Sequence, residues 1–520
     1  MKANRDAPAV PMASPPPPSR RGRGRFAPLL RAGALAACSA VAFALLRPYT
    51  VVMDGDASVF LTIGRGLLHG QTLYLSAWDD KPPLIFYWSA LVSWIWPTDP
   101  YLGMQILSSL ALGATAAIVS FFVWGRRRSW RLATGAALFM ILVMALPYFS
   151  TGGGLSELFA VPAMTGAYVL SAFSPSLGAP PTRRRLFVVG ALVGLAVNTS
   201  LWALIIGPVV LAALLAANEG ALGARLRSLA RELLIVAAGA LAISIPIWLP
   251  LWAAGAGPAA IEAMWNYNAF YHADAIFISA YWFGAMVAFW PIYWPLILTR
   301  GLTPLEMKAA APILVWFGGG IALLLYSLRL YTHYFMIILP VFGLLLASPA
   351  LGQLLARHRR RMVSFLLMTG LGLGVIFFAT AGVLYRPTNN DDVVAYIRAR
   401  TASSAQIYVW GYNNEIYLAA DRLPAGPYSY LLPLMTPGYG EGAAATMLAA
   451  WQAEAPALIV DSSENPPNGA TMAELLLPHG FGSNDNRTLS SVLNPLRAFV
   501  REHYTLAATL DGQPIYALTP

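Results

Sequence analysis

Residues 83–97, PLIFYWSALVSWIWP, decide how the chain is arranged, because every later segment changes side if this one crosses a membrane. Its fifteen residues reach about 22 Å as an α-helix, which is less than the roughly 30 Å of a bilayer's hydrocarbon core. Its tryptophan and tyrosine side chains favour the membrane interface. We therefore predict a helix that lies flat on the outer surface rather than a transmembrane helix.

The composition around this segment is that of a polytopic membrane protein. Of the 520 residues, 57% are hydrophobic and only 11% are charged, whereas soluble proteins carry about 25% charged residues. Apolar runs recur along the chain, and a helix needs about 20 apolar residues to cross a bilayer. We predict eleven transmembrane helices, over 32–49, 102–124, 132–149, 156–173, 186–199, 201–217, 232–252, 276–298, 309–328, 335–350 and 362–384.

The positions of the basic residues predict the orientation. With the N-terminus in the cytosol, the cytosolic segments hold 23 basic residues and the outer loops and outer ends of spans hold four. The positive-inside rule supports this arrangement. Residues 1–28 are low in complexity and rich in arginine, so we predict a disordered cytosolic tail there. Since the net charge of +10 belongs mostly to membrane loops, we expect no nucleic-acid partner.

The order of the spans divides the chain into domains. Residues 29–385 form the predicted all-α membrane domain, and its first outer loop covers residues 50–101. The apolar stretch 186–217 is too long for one span and is interrupted by Asn-Thr-Ser at 198–200, which predicts two short helices that meet at an outward-facing polar turn. Residues 386–520 have the composition of a soluble module, and we place them outside the membrane.

The first outer loop carries most of the residues that are suited to chemistry. Asp54 and Asp56 stand where the first span emerges, an amphipathic stretch follows to Gly70, and Asp79, Asp80 and Lys81 precede two prolines. A carboxylate that is partly shielded from water becomes more basic, which suits a general base that takes a proton from a hydroxyl. Ordinary solvated surface charges are the alternative.

Two further groups fall on the same predicted side. Glu157, in GGGLSELF, begins the fourth span, where it either has a chemical role or complements the helix dipole beside a capping Ser156 or Gly154. The ninth span ends in the string that contains Arg329, Tyr331, His333 and Tyr334. Tyrosines at this position are typical interface anchors, whereas an arginine at the lipid boundary is suited to bidentate binding of a phosphate.

In these motifs the chain resembles the GT-C superfamily of glycosyltransferases. The likeness is to the protein O-mannosyltransferase group, glycosyltransferase family 39, and to the bacterial aminoarabinose–lipid A transferases, and it covers about residues 30–350. The features that match in order are Asp56, the Gly70 and Tyr74 of HGQTLY, the string from Asp79 to Pro83, the Glu157 of GLSELF, and the string from Arg329 to Tyr334.

The resemblance implies an inverting transfer of a sugar from a polyprenyl phosphate to an acceptor on the outer face of the membrane. Asp56 would be the general base, Glu157 would orient the acceptor or the base, and Lys81 with Arg329 would hold the departing phosphate. Asp79, Tyr74, His333 and Tyr334 would complete the substrate site. Members of the group often have Asp-Glu in the first loop, whereas Ala57 follows Asp56 here.

That departure leaves two questions about the acids open. Asp54 is a candidate partner of Asp56, so we include it among the predicted catalytic residues. The chain shows no cluster of histidine and carboxylate residues with metal-ligand spacing, so we predict no metal cofactor, although the sequence does not exclude a divalent ion.

Residues 386–520 are predicted to form a small α/β domain. Strand-like runs at 406–410, 457–460 and 515–518 alternate with helical stretches at 391–400 and 443–453. The domain contains an aromatic cluster of Trp410, Tyr412, Tyr417, Tyr428 and Tyr430. These side chains either pack in a core or lid, or stack on sugar rings, and recognition of the acceptor is a hypothesis for this domain.

Two other functions compete with the glycosyltransferase. A transporter or flippase of lipid-linked sugars would place ionisable residues near the middle of the membrane and show repeated halves, whereas here the acids cluster at one face and no repeat is visible. A membrane scaffold that displays the C-terminal domain would need none of the four charged residues of the motifs. The sequence does not identify the transferred sugar, and the acceptor is a glycan, a lipid or a protein.

Overall fold

The structure is a computed structural model of the chain, and it describes residues 27–47, 55–150, 152–172, 181–218, 221–273, 304–327, 331–347, 390–462 and 492–519. The described chain is mostly helical, with one small sheet near its C-terminus. The predicted tail up to residue 26, the spans 276–298 and 362–384, and the site residues Asp54 and Arg329 lie outside the described residues.

Among the described residues, the helical part that precedes the C-terminal α/β region ends at residue 345. Its helices are α1 (Ala27–Leu46), α2 (Gly55–Leu68), α3 (Pro83–Ile95), α4 (Pro100–Arg127), α5 (Trp130–Met144), α6 (Pro147–Ser150), α7 (Ser156–Ala172), α8 (Arg183–Val197), α9 (Ile206–Ala217), α10 (Leu222–Ala253), α11 (Gly257–Ile261), α12 (Asn268–Ala273), α13 (Pro304–Ser327) and α14 (Leu339–Leu345). A π-helix joins α11 to α12, and 3₁₀ turns precede α9 (Leu201–Ile205) and α14 (Thr332–Ile337).

Two of the described helices, α4 and α10, are long and apolar enough to cross a membrane. Most of the apolar side chains of α10 are exposed, among them Leu234, Leu241 and Leu249. An apolar surface of this kind is stable against lipid rather than water. The apolar helical stretches described at other predicted spans are 10–17 residues long, so the number of eleven spans stays a prediction.

The short helix α3 corresponds to the segment on which the arrangement depends. It covers Pro83–Ile95 and packs on α2 and α4, with Trp94 exposed near its end. The predicted break between α8 and α9 is present, because α8 ends at Val197 and a polar turn follows at residues 198–200. The backbone N–H of Leu84 in α3 donates to the carbonyl of Asn198 at 3.0 Å. The polar turn therefore lies at the same end of the helical part as the start of α3.

The C-terminal α/β region (residues 390–462 and 492–519) contains a five-stranded mixed sheet. Its elements are α15 (Asp391–Arg400), β1 (Gln406–Trp410), α16 (Glu415–Ala420), β2 (Leu423–Pro424), α17 (Leu432–Met435), α18 (Gly440–Ala453), β3 (Leu458–Asp461), α19 (Asn494–His503), β4 (Tyr504–Leu510) and β5 (Gln513–Leu518). The strand order is β2-β1-β3-β5-β4; β1 is parallel to β2 and β3, and β5 is antiparallel to β3 and β4.

The two parts share one hydrophobic cluster. Phe60 and Phe86 of the helical part belong to the same buried cluster as Tyr408 and Trp451 of the α/β region. A backbone hydrogen bond also joins the two parts, because the N–H of Trp78 donates to the carbonyl of Pro427 at 2.9 Å. Because burial of apolar side chains is the main stabilising term in folding, this shared cluster holds the α/β region against α2 and the loop that follows it.

Candidate active site

Helix α2 presents Asp56 at its first turn. The amphipathic stretch predicted from the sequence is this helix, and it buries Val59, Phe60 and Ile63 against the shared cluster. Gly70, with φ of +87°, follows the end of the helix in the left-handed conformation that commonly terminates a helix. An acidic residue in the first turn complements the helix dipole, and Asp56 is partly buried there.

The loop between α2 and α3 (residues 69–82) folds back on itself around Tyr74. This residue adopts a left-handed backbone conformation, with φ of +69°, which is uncommon for a non-glycine residue. Its backbone N–H donates to the carbonyl of Ala77 at 2.7 Å, and its phenolic O–H donates to the carbonyl of Lys81 at 2.7 Å. Tyr74 thereby fixes the backbone that carries Lys81.

Lys81 forms an ion pair inside the loop. Its Nζ lies 2.9 and 3.2 Å from the two carboxylate oxygens of Asp80, whose side chain is 9% exposed. Burial alone would lower the pKa of Lys81, but the charges of Asp80, Tyr334, Asp79 and Asp56 raise it well above its ordinary value. Lys81 is therefore held as a cation within electrostatic reach of Asp56.

Asp79 is the most enclosed acid of the loop. It is 3% exposed, and its carboxylate accepts from the backbone N–H of Lys81 at 3.0 Å and from the O–H of Tyr430 at 3.2 Å. Burial raises the pKa of Asp79 well above its usual range, and the charges of Asp80 and Asp56 raise it further. This buried carboxyl group thus supports the loop through its two hydrogen bonds.

Glu157 approaches from another helix. Residues 152–154 are three glycines that all have positive φ, and this turn leads into α7, where Glu157 occupies the first turn. Glu157 is 1% exposed and accepts from Ser200 Oγ, which belongs to the polar turn, at 3.2 Å. The predicted capping role of Ser156 is absent among the described residues, in which its buried hydroxyl has no partner.

Tyr334 connects Glu157 to the loop. It is buried, and the charges of both Lys81 and Glu157 act on its hydroxyl. The rings of Tyr331 and His333 stack with centroids 5.5 Å apart, and the ring of His333 meets that of Tyr334 edge to face. The described part of this string therefore lies beside Lys81.

The structure brings most of the sequence-predicted residues to one place. Those within one electrostatic and hydrogen-bonded cluster are Asp56, Tyr74, Asp79, Lys81, Glu157 and Tyr334, with His333 packed against Tyr334. The cluster also contains Asp80 and Ser200, which had not been singled out as site residues. Ser200 had a signal in the sequence, because a polar turn inside an apolar stretch is costly without partners.

Two residues of the cluster come from the C-terminal α/β region. The O–H of Tyr412 donates to Asp56 Oδ1 at 2.6 Å, and the O–H of Tyr430 donates to Asp79. In the sequence these tyrosines belonged to an aromatic cluster with no assigned contact. The other members behave as the packing alternative predicted, since Trp410 and Tyr417 lie in the core and Tyr428 packs on Trp78.

The described residues contain no group of three or more histidine, cysteine, aspartate or glutamate side chains that is arranged to hold a metal ion. The cluster combines a carboxylate, Asp56 of α2, with a partly buried cation, Lys81 of the loop that follows α2. Such a pair can take a proton from one group and stabilise negative charge on another.

Comparison with solved structures identifies the fold. The chain matches ArnT from Cupriavidus metallidurans bound to undecaprenyl phosphate with a TM-score of 0.60 and 13% identity, over 94% of this chain and 98% of that one. It matches ArnT in the apo state with a TM-score of 0.57 and 14% identity over the same fractions. No protein-family model and no curated protein matches the sequence.

A third solved structure extends the comparison beyond ArnT. The archaeal oligosaccharyltransferase AglB from Archaeoglobus fulgidus, in complex with an inhibitory peptide and a dolichol-phosphate, matches with a TM-score of 0.50 and 13% identity, over 84% of this chain and 70% of that one. ArnT and AglB are both members of the GT-C superfamily. The resemblance predicted from the sequence is therefore confirmed for the fold.

Proposed function

We propose that the protein is an integral membrane glycosyltransferase. It moves a hexosyl or pentosyl group, with inversion, from a polyprenyl-phosphate donor to an acceptor on the outer face of the cytoplasmic membrane. The observation that carries this proposal is the loop geometry, in which Tyr74 and Asp80 hold Lys81 in place, with Asp56 among the charges that act on it. The fold supports it, because the matched ArnT structure holds undecaprenyl phosphate and the matched AglB structure holds dolichol-phosphate.

Asp56 would act as the general base in this reaction. As the acceptor hydroxyl attacks the anomeric carbon, its proton passes to the carboxylate of Asp56, and the bond from that carbon to the phosphate oxygen breaks. A positioned base of this kind contributes roughly a 10²- to 10⁴-fold rate increase. Attack on the face opposite the phosphate inverts the anomeric centre.

Lys81 would stabilise the departing phosphate, which gains negative charge in the transition state. An ammonium group has three N–H donors, so Lys81 can keep its contact with Asp80 while it donates to a phosphate oxygen. Arg329, outside the described residues, is the predicted second cation. Tyr74 supports this role, because its hydrogen bond to the carbonyl of Lys81 holds the backbone in place.

Glu157 would orient the acceptor or the base. Its burial and its contact with Ser200 give the carboxylate a fixed position. The charges of both Glu157 and Lys81 act on the hydroxyl of Tyr334. His333 and Tyr334 would line the donor site beside the loop.

The proposed topology places this cluster on the outer face, with the N-terminus in the cytosol and residues 386–520 as an extracytoplasmic domain. The bias of basic residues supports the orientation. The exposed apolar side chains of α10 support residence in a bilayer. The cluster itself supports a site at a membrane surface, because its charged groups lie at one end of the helical part.

The test is transfer by full-length protein in membranes that are supplied with a panel of radiolabelled undecaprenyl-phosphate sugars, with release of undecaprenyl phosphate as the readout. We expect Asp56→Asn to lower the rate by about 10²- to 10⁴-fold and Glu157→Gln to lower it less, because the amide oxygen keeps the contact with Ser200. Asp392→Asn, the same change at an exposed position of α15, is the matched control. Unchanged transfer rates in both site variants would contradict the assignment of Asp56 and Glu157 to catalysis and would favour a transporter.

A further inference from the structure

A residue of the C-terminal α/β region reaches into the candidate site. The O–H of Tyr412 donates to Asp56 Oδ1 at 2.6 Å, across 356 positions of sequence. We propose that Tyr412 is a positioning residue for the general base, so that the α/β region completes the active site and does more than recognise the acceptor. This inference rests on the proposed function of Asp56.

The sheet presents Tyr412 at a defined point. Strand β1 is buried along Ile407–Trp410 and ends directly before Gly411. The neighbouring parallel strand ends beside it, where the backbone N–H of Ser462 donates to the carbonyl of Trp410 at 3.1 Å. The N–H of Leu431 donates to the carbonyl of Gly411 at 3.1 Å. Tyr412 therefore projects from the carboxyl edge of two parallel strands, where α/β sheets commonly place functional side chains.

Contacts on both sides hold this edge against α2. Arg65 of α2 donates to the carbonyl of Leu418 at 3.1 Å and forms an ion pair with Asp421. The ring of Tyr412 meets that of Tyr430 edge to face, with centroids 5.2 Å apart. These contacts restrict the movement of the edge that carries the phenol.

Helix α2 leaves room for the phenol at Gly55. A Cβ atom built on Gly55 would lie closer to Tyr412 Cε1 and Cδ1 than non-bonded carbon atoms can approach. The glycine immediately before Asp56 is therefore the gap in which the ring of Tyr412 lies. The contact depends on both parts of the chain, and a side chain at position 55 would push the phenol away without altering its chemistry.

The chemistry of the pair fits a positioning role. A phenol that donates to a carboxylate favours the charged form and limits its rotation, and each carboxylate oxygen can accept further hydrogen bonds. Asp56 can thus still accept from an acceptor hydroxyl while Tyr412 holds it. Tyr412 is 40% exposed, so the pair is open on one side to an incoming substrate.

The first test compares Tyr412→Phe with Tyr396→Phe, which makes the same change in α15 of the same region, away from the site. Transfer of the panel sugars is measured at several donor concentrations in membranes that contain the full chain. We expect Tyr412→Phe to lower kcat by about ten- to hundredfold and to leave the KM for the donor nearly unchanged. Gly55→Ala should lower kcat in the same way, with the phenol still present.

The second test does not depend on turnover. Dicyclohexylcarbodiimide labels carboxyl groups, and mass spectrometry of the peptide that contains Asp56 gives the rate of its labelling at one fixed pH in the full-length protein. We expect this rate to rise in Tyr412→Phe and in Gly55→Ala, because the phenol no longer engages Asp56 Oδ1, and to stay at the wild-type value in Tyr396→Phe. Since labelling needs no substrate, it tests Tyr412 even where Asp56→Asn has shown the proposed function to be wrong.

The outcomes separate the two ideas. A wild-type transfer rate in Asp56→Asn would show that the proposed glycosyltransferase mechanism is wrong, independently of the result for Tyr412. A labelling rate in Tyr412→Phe equal to that of Tyr396→Phe overturns the positioning role, even if transfer is slower, because slower transfer alone would report only lost packing.

Discussion

Two contacts of the same chemical type join the α/β region to the loop and helix beside it, and they lie in opposite surroundings. Tyr412 donates to Asp56 at 2.6 Å, and Tyr430 donates to Asp79 at 3.2 Å. Tyr412 is 40% exposed, whereas Tyr430 is 4% exposed. Burial, with the charges of Asp80 and Asp56, raises the pKa of Asp79 well above its usual range.

The difference teaches which contact serves function and which serves stability. A hydrogen bond that is closed to water cannot be replaced when one partner is removed, so its loss destabilises the fold. A bond that water can reach is replaced more easily, and its loss changes the orientation of the carboxylate instead. We therefore assign the buried pair to the support of the loop, and the open pair is the one for which we propose a role in catalysis.

Among the tests of this comparison, the largest expected effect comes from the cation that both aspartates influence. The charges of both Asp56 and Asp79 act on Lys81. We expect Lys81→Gln to lower the transfer rate by about 10²- to 10³-fold, because it removes the charge that would stabilise the leaving phosphate. It also leaves the buried Asp80 without its cation, which lowers the melting temperature.

The double variant Lys81→Gln/Asp80→Asn separates these two effects. With both charges gone no buried ion is left unpaired, so we expect the melting temperature to return toward that of the wild type while transfer stays low. Wild-type transfer by the double variant would show that the phosphate is held without Lys81, and the cluster would then lose its proposed role in the departure of the phosphate.

A smaller effect, on stability, tests the comparison directly. Tyr430→Phe removes the donor to Asp79 inside the fold, and we expect it to lower the free energy of unfolding by about 1–3 kcal/mol. Tyr412→Phe removes the same group at an exposed site, where substitutions usually change stability by less than about 0.5 kcal/mol. Thermal unfolding of the two variants in detergent gives the order. Equal losses of stability would mean that the two contacts do not differ as their burial indicates.

The parts of the fold that were predicted from the sequence are those with a local cause. The apolar periodicity of α2, the polar interruption after α8, and the strands β1, β3 and β5 all lie where the residue pattern placed them. Strands β2 and β4 were missed. β2 has only two residues, and β4 exposes Leu506 and its neighbours, so neither shows the alternation that marks a half-buried strand.

The candidate site divides in the same way. Asp56, Lys81 and Glu157 were found through short motifs, and their mutual approach followed from the predicted orientation of the spans. The pairing of Tyr412 with Asp56 and of Tyr430 with Asp79 spans more than 350 positions. No local pattern encodes which tyrosine of an aromatic cluster will face a distant loop, because that depends on how the α/β region packs on α2.

The smallest effect concerns the pH dependence of stability, and it comes from the buried pair alone. The pKa of Asp79 is raised in the folded protein, so as pH rises above the ordinary aspartate value of about 3.9 the unfolded chain loses this proton while the folded chain keeps it. By proton linkage, Asp79 then lowers stability progressively as pH rises toward its folded pKa.

The variant Asp79→Asn removes this proton exchange. Its amide keeps an acceptor for the backbone N–H of Lys81 and a partner for the O–H of Tyr430. We therefore expect the melting temperature of Asp79→Asn to gain on that of the wild type between pH 4 and pH 7, a trend that thermal unfolding across pH would measure, with Asp392→Asn as the matched control. A constant difference across that range would mean that Asp79 is ionised in the folded protein, and the contrast between the two tyrosine–aspartate pairs would then rest on exposure alone.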